Sequence, residues 1–158
     1  MRTTIFALIA FAAAALQISG AQSVTVDHLT QTDILDRAQA LESKAKAAEG
    51  SAAVKLSEYP NHYTMISLRH KNGGAEVHQD FSDLFFVVKG KATLLSGGEV
   101  QNAKTVSPGE IRGTAVTNGS STSLGEGDFV HIPAGVSHQL LVADGDTFLY
   151  FVVKVKEK

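Results

Sequence analysis

Apolar and polar residues change rhythm twice along this chain. From Ile5 to Leu16 every residue is apolar. Between Thr32 and Glu49, the residues Ile34, Leu35, Ala38, Leu41, Ala45 and Ala48 recur at the spacing of one helical face, so the pattern predicts a helix there. Thr32 can cap it, Asp33 and Asp36 suit the positive end of its dipole, and Gly50 can end it. A stripe this rich in Ala is shallow, which suits a helix laid on the outside of a barrel or against a second subunit. Val24 to His28, ahead of it, reads as a short extended lead-in.

From Val54 onward the period shortens to that of strands. Tyr63–His70, Leu84–Val88, Ala92–Leu95, Phe129–Ile132, Gln139–Val142 and Thr147–Val155 are apolar or alternating runs set apart by turns such as Asn72-Gly73-Gly74 and Gly97-Gly98. Many short strands between Gly-containing turns predict an all-β barrel or sandwich. Gln101 to Leu124 is rich in Gly, Ser and Thr, and reads as a long loop carrying one weak strand. The expected organisation is therefore residues 1–21 as a leader, 22–53 as an N-terminal extension with the helix, and 54–158 as the barrel.

The leader follows from the first rhythm. Arg2 gives a positive start, the apolar run is too short to span a bilayer comfortably, and Ser19-Gly20-Ala21 supplies small residues for cleavage. This is the secretory pattern, so the expectation is an exported protein, periplasmic or secreted, with no membrane attachment once the signal peptide is removed. The whole chain has 14 Lys and Arg against 16 Asp and Glu. Losing Arg2 leaves 13 against 16, a formal charge of −3 with no basic cluster, and so no footprint for nucleic acid. The chain has no Cys. Its core must hold the fold without disulfides.

Two segments carry candidate chemistry. In Gly127-Asp128-Phe129-Val130-His131-Ile132-Pro133-Ala134-Gly135-Val136-Ser137-His138, Pro133 and Gly135 force a tight turn that holds His138 at the start of the next strand. Neutral imidazole is the commonest protein metal ligand. Upstream lies Glu76-Val77-His78-Gln79-Asp80-Phe81-Ser82-Asp83. Residues two apart on a strand share a face at roughly 6.6–6.8 Å, so Glu76 and His78 can both point inward. Asp83 has the opposite parity and joins them only if the chain bends among Gln79 to Ser82. Tyr63, Arg69, Glu110 and Arg112 are the next polar candidates, and Arg69 could anchor an anionic substrate. His131 is a surface residue or, as the alternative, a proton shuttle.

The second segment, Gly, five residues, Pro, one residue, Gly, two residues, His, resembles the second signature of the cupin family. The first cupin signature runs His, one residue, His, three or four residues, Glu, six residues, Gly. Aligned to Gly90, it sets Glu76 at the first His, His78 at the second and Asp83 at the Glu, while His138 takes the fourth ligand position. The resemblance covers roughly residues 62–155. It implies a cupin (double-stranded β-helix, jelly-roll-like) barrel with one N-terminal helix, a homodimer, and a divalent metal held by Glu76, His78, Asp83 and His138. Two His with two carboxylates favour Mn²⁺ or Fe²⁺, with Zn²⁺ and Ni²⁺ as alternatives. The function so implied is a metal-dependent oxygenase, isomerase or lyase acting on a small polar organic substrate. A non-catalytic module binding a small ligand or a metal is the alternative, and a barrel without metal the third.

Overall fold

The computed structural model describes residues 26–48 and 50–157, so the leader and its cleavage site lie outside the described residues. One helix and thirteen strands follow in chain order: α1 (Gln31–Ala47), β1 (Ser51–Glu58), β2 (His62–Arg69), β3 (Ala75–His78), β4 (Phe81–Lys89), β5 (Ala92–Ser96), β6 (Glu99–Gln101), β7 (Lys104–Ser107), β8 (Glu110–Gly113), β9 (Ala115–Thr117), β10 (Ser120–Leu124), β11 (Phe129–Ile132), β12 (His138–Leu141) and β13 (Phe148–Lys156). They form a five-stranded sheet ordered β1-β2-β13-β4-β11, a six-stranded sheet ordered β10-β5-β12-β3-β8-β7, and a two-stranded ribbon of β6 and β9. All pairings are antiparallel.

Period-two alternation builds the core. On β13, Phe148, Tyr150 and Val152 face the second sheet and pack with Phe85 and Val87 of β4, Leu94 of β5 and Leu140 of β12. The intervening Leu149 and Phe151 turn outward to meet the helix. There Ala38, Leu41 and Ala45 of α1 pack on Ile66, Leu68, Val88 and Leu149. The helix therefore lies on the outside of the barrel, with its narrow apolar stripe against the five-stranded sheet.

Three expectations shift. The helix starts earlier than Thr32, because Thr30 is the cap: its hydroxyl accepts from the Asp33 amide while the Asp33 carboxylate accepts from the Thr30 amide. The first strand begins at Ser51, ahead of the boundary drawn at 54, since Ser51 to Ala53 already pair with Ser67 to Arg69. The stretch from Gln101 to Leu124 is not a loop with one weak strand. It holds β7 to β10, with the end of β6, and β8 is the strand that flanks β3.

Two glycines explain tight approaches near the motifs. A Cβ on Gly90, whose φ is +86°, would stand 1.8 Å from the Thr147 carbonyl oxygen. Gly135, at φ +81°, forms the turn before His138, and its amide donates to the His78 carbonyl at 2.8 Å. That bond ties the two candidate segments together through the backbone.

Candidate metal centre

Register decides which side chains meet. In the six-stranded sheet Glu76 pairs with His138 of β12 on one side and with Arg112 of β8 on the other, and His78 pairs with Glu110. In the facing sheet Lys154 lies between Tyr63 of β2 and Asp83 of β4. Asp83 shares the parity of Phe85 and Val87, so it points to the interior. The chain leaves the second sheet after His78, turns at Gln79 and Asp80, and enters the first sheet at Phe81. This crossing supplies the bend that the parity of Asp83 required, and it brings Glu76, His78, Asp83 and His138 together.

Each imidazole has one nitrogen held and one free. Nδ1 of His78 lies 2.9 and 2.8 Å from the two carboxylate oxygens of Glu110. A proton on Nδ1 satisfies that contact and leaves the Nε2 lone pair aimed at Glu76 Oε2, 3.3 Å away, and Asp83 Oδ2, 3.6 Å away. Nδ1 of His138 donates to the Val136 carbonyl at 3.1 Å. Its Nε2 then faces Glu76 Oε2 at 3.9 Å and Asp83 Oδ2 at 3.8 Å. Four acceptor atoms thus converge, and among buried side-chain atoms His78 Nε2 has no hydrogen-bond partner. Buried polar atoms are seldom left so. A cation at the point of convergence satisfies all of them.

The donor set fits a metal. Glu76, His78 and His138 each offer one ligand atom, all within 4.8 Å of one another. A carboxylate or carbonyl on the far nitrogen of each ring is the usual device that fixes the tautomer of a ligating His and raises its basicity. Burial alone would raise the Glu76 carboxyl, but its contact with His78 and the charges of Arg112 and Arg69 reverse this and hold it well below the usual carboxylate range. Burial lowers the His138 imidazole, an effect only partly offset by the Val136 carbonyl, Asp83 and Glu76. Both groups are therefore kept in the deprotonated form that a metal ligand needs.

Asp83 differs from the other three. Its Oδ1 lies 2.5 Å from Lys154 Nζ, and both residues are 7% exposed. Sequence reasoning missed Lys154, which the structure places on the face of the inward-pointing Tyr150 and Val152. Burial lowers its ammonium, and Asp83 works in the opposite direction. Glu110 and Arg112 were named only as polar candidates; the structure pairs them with His78, with Glu76 and with each other, Arg112 Nη2 lying 3.1 Å from Glu110 Oε2. Arg69 reaches Glu76 Oε1 at 3.4 Å and donates from Nε to the Tyr150 hydroxyl at 3.0 Å. His131 is exposed and lies away from this cluster. The cluster opens on a cavity of about 580 Å³ lined also by Tyr63, Met65, Ser67 and Val152.

Solved structures carry the same architecture. A Klebsiella pneumoniae protein described as having a double-stranded beta-helix domain superposes with a TM-score of 0.52 at 17% identity, over 70% of this chain and 81% of its own. The chain has the cupin fold. The DMSP lyase DddQ from Ruegeria pomeroyi is similar at a TM-score of 0.52 and 17% identity, over 72% of this chain and 50% of the lyase. A recombinant oxalate oxidase in complex with glycolate is similar at 0.50 and 16%, over 70% of this chain and 53% of the oxidase. The matched part of this chain spans about half the length of those two enzymes. No protein-family sequence model matches the chain, and no curated protein matches it in sequence. At these identities the likeness concerns the fold, and the chemistry rests on the side chains.

Proposed function

We propose that the protein is an exported, metal-dependent cupin enzyme acting on a small polar organic molecule. Glu76, His78 and His138 hold the ion, and Asp83 stands beside them as a fourth donor, the second through oxygen. The observation that carries this reading is the convergence of two imidazole Nε2 atoms and two carboxylate oxygens, with the far nitrogen of each ring already occupied. Two imidazoles with carboxylate oxygen favour Mn²⁺ or Fe²⁺, with Zn²⁺ or Ni²⁺ as alternatives, and such a set leaves coordination positions open. When bound, the ion supplies Lewis-acid polarisation or activation of O₂. This chain's own residues fix the tautomers, keep Glu76 ionised and enclose the substrate in a polar cavity. Lyase and oxidase names among the similar structures suit an enzyme without choosing its reaction.

Elemental analysis of protein purified without chelator or affinity-tag metal tests the reading. Stoichiometric Mn or Fe, lost in His138→Ala, is the expected outcome; metal in neither protein sinks it. Export is checked by sequencing the N-terminus of material recovered outside the cytoplasm. Gln22 is expected, and Met1 would refute cleavage.

A second reading, a non-catalytic binding module, draws support from the pairing of Glu76 with arginines and of Asp83 with Lys154. Ligand-induced thermal shifts without turnover across a panel of small acids and sugars would favour it.

A further inference from the structure

The polar end of the cavity supplies only part of its walls. Its charged side chains answer one another: Arg69 and Arg112 meet Glu76, Arg112 also meets Glu110, and Lys154 meets Asp83. Groups paired in this way are not free to choose a ligand, so the ion is the polar anchor that remains. The cavity is about 580 Å³, the size of pockets that take sizeable organic molecules and more than a metal-binding head group fills. The rest of a ligand meets the other walls.

Those walls are largely apolar. Met65 of β2 and Val152 of β13 pair across the five-stranded sheet, on the inward face that also carries Tyr150, and both border the cavity. From the opposite side comes Val106 of β7, the edge strand of the six-stranded sheet. The register of β7 against β8 skips one residue. Thr105 pairs with Ile111 and Ser107 with Glu110, which leaves Val106 as the extra residue of a β-bulge. Bulges re-aim side chains and gather beside active sites. Strand alternation would send Val106 and Ser107 to opposite faces, yet both line the cavity. Val106 is 60% exposed, between Lys104-Thr105 and Ser107. A valine so placed contributes little to folding; its apolar surface leaves water only when a ligand covers it.

We propose that the substrate is amphipathic: a metal-binding oxygen end joined to an aliphatic or aromatic body that lies between Met65 and Val152 on one sheet and Val106 on the other. Val106 is then a specificity-determining residue, aimed by the bulge. This rests on the metal reading above and adds to it the substrate class. Each methylene buried against these walls should tighten binding by up to about fourfold.

The test is calorimetric titration of Mn²⁺-loaded protein with acetohydroxamate, butyrohydroxamate and hexanohydroxamate, which share one metal-chelating head and differ in alkyl length. Mn²⁺ content is measured before and after each titration. Hexanohydroxamate is expected to bind at least about tenfold more tightly than acetohydroxamate. That ratio should fall by about threefold or more in Val106→Ser and in Met65→Ser while Mn²⁺ content holds. Met65 also packs against the core, so its variant risks misfolding, and the exposed Val106 provides the independent arm. Mn²⁺-loaded protein that binds all three compounds alike, or keeps its ratio in both variants, overturns the amphipathic proposal and leaves the metal reading standing. A gain with chain length that persists in metal-free His138→Ala places the alkyl group elsewhere on the protein and overturns it as well. Protein that retains no Mn²⁺ overturns the metal reading, and the amphipathic proposal falls with it.

Discussion

The two sheets bring the same kind of group to the site and leave it in opposite conditions. On the six-stranded sheet the far nitrogen of each imidazole meets an acceptor, Glu110 for His78 and Val136 for His138, so the near nitrogen becomes a better electron-pair donor. On the five-stranded sheet the far oxygen of Asp83 meets an ammonium, Lys154, which draws charge away from the near oxygen. A partner behind a ligand can thus strengthen or weaken it, depending only on the partner's sign. Asp83 occupies the Glu position of the first signature by alignment, yet its strongest contact is a counter-ion. In the proposed site the metal therefore falls chiefly to Glu76, His78 and His138, while Asp83 chiefly keeps a lysine buried.

The largest expected effect breaks the pair on the five-stranded sheet. Asp83→Asn leaves the Lys154 ammonium buried without a counter-charge, which costs about 3–5 kcal/mol of folding stability. Removing both charges in Asp83→Asn/Lys154→Met should recover most of that loss, because the penalty belongs to the orphaned ion. Denaturant unfolding of the two variants measures it, with Mn²⁺ content followed in parallel. Stability lost equally in the single and double variants would overturn the counter-ion role. Metal lost from both, in protein that remains folded, would restore Asp83 as a principal ligand.

A smaller effect probes the opposite sheet. Glu110→Gln keeps an acceptor oxygen for Nδ1 of His78 but removes the negative charge behind the ring. Metal affinity should fall by about 10–100-fold, the range for outer partners of ligating histidines. Chelator competition reads this directly. An unchanged affinity would mean that Glu110 serves only as the partner of Arg112.

Much of this site is legible in the sequence, for reasons that also mark where reading stops. Glu76 and His78 share a face because strands alternate, and His138 is fixed by a turn that Pro133 and Gly135 impose; neither inference needs tertiary contacts. The bend before Asp83 is visible as a requirement, but its nature, a crossing between sheets, depends on pairing partners far away in the chain. Lys154 is hidden by its setting. In Phe148–Lys156 the apolar residues on both faces mask the alternation, so nothing local says which face the lysine takes. The strands between Lys104 and Leu124 are hidden for another reason. Lys104–Ser107 is exposed throughout and Ser120–Leu124 buries only Leu124, so neither has an apolar face for periodicity to reveal. They are strands because β8 and β5 offer them backbone partners. That blind spot concealed the roles of Glu110 and Arg112, which sit two apart on β8 opposite His78 and Glu76.

The smallest effect is a pH profile, and its sign follows from burial. The His138 imidazole is lowered from its ordinary value of 6.5 in the folded protein, so the unfolded chain binds a proton there first as pH falls. Its contribution to stability is full above that ordinary value and is lost as the pH drops through it toward the depressed folded value. Glu76, held below its ordinary 4.5, acts in the same direction in a second window beneath that value. Metal-free protein should therefore lose stability in two steps on acidification, one near the ordinary histidine range and one in the carboxylate range. His138→Gln should flatten the first step and leave the second. A variant that keeps the first step intact would show that another group governs it, and would remove the argument that burial holds His138 ready as a neutral ligand.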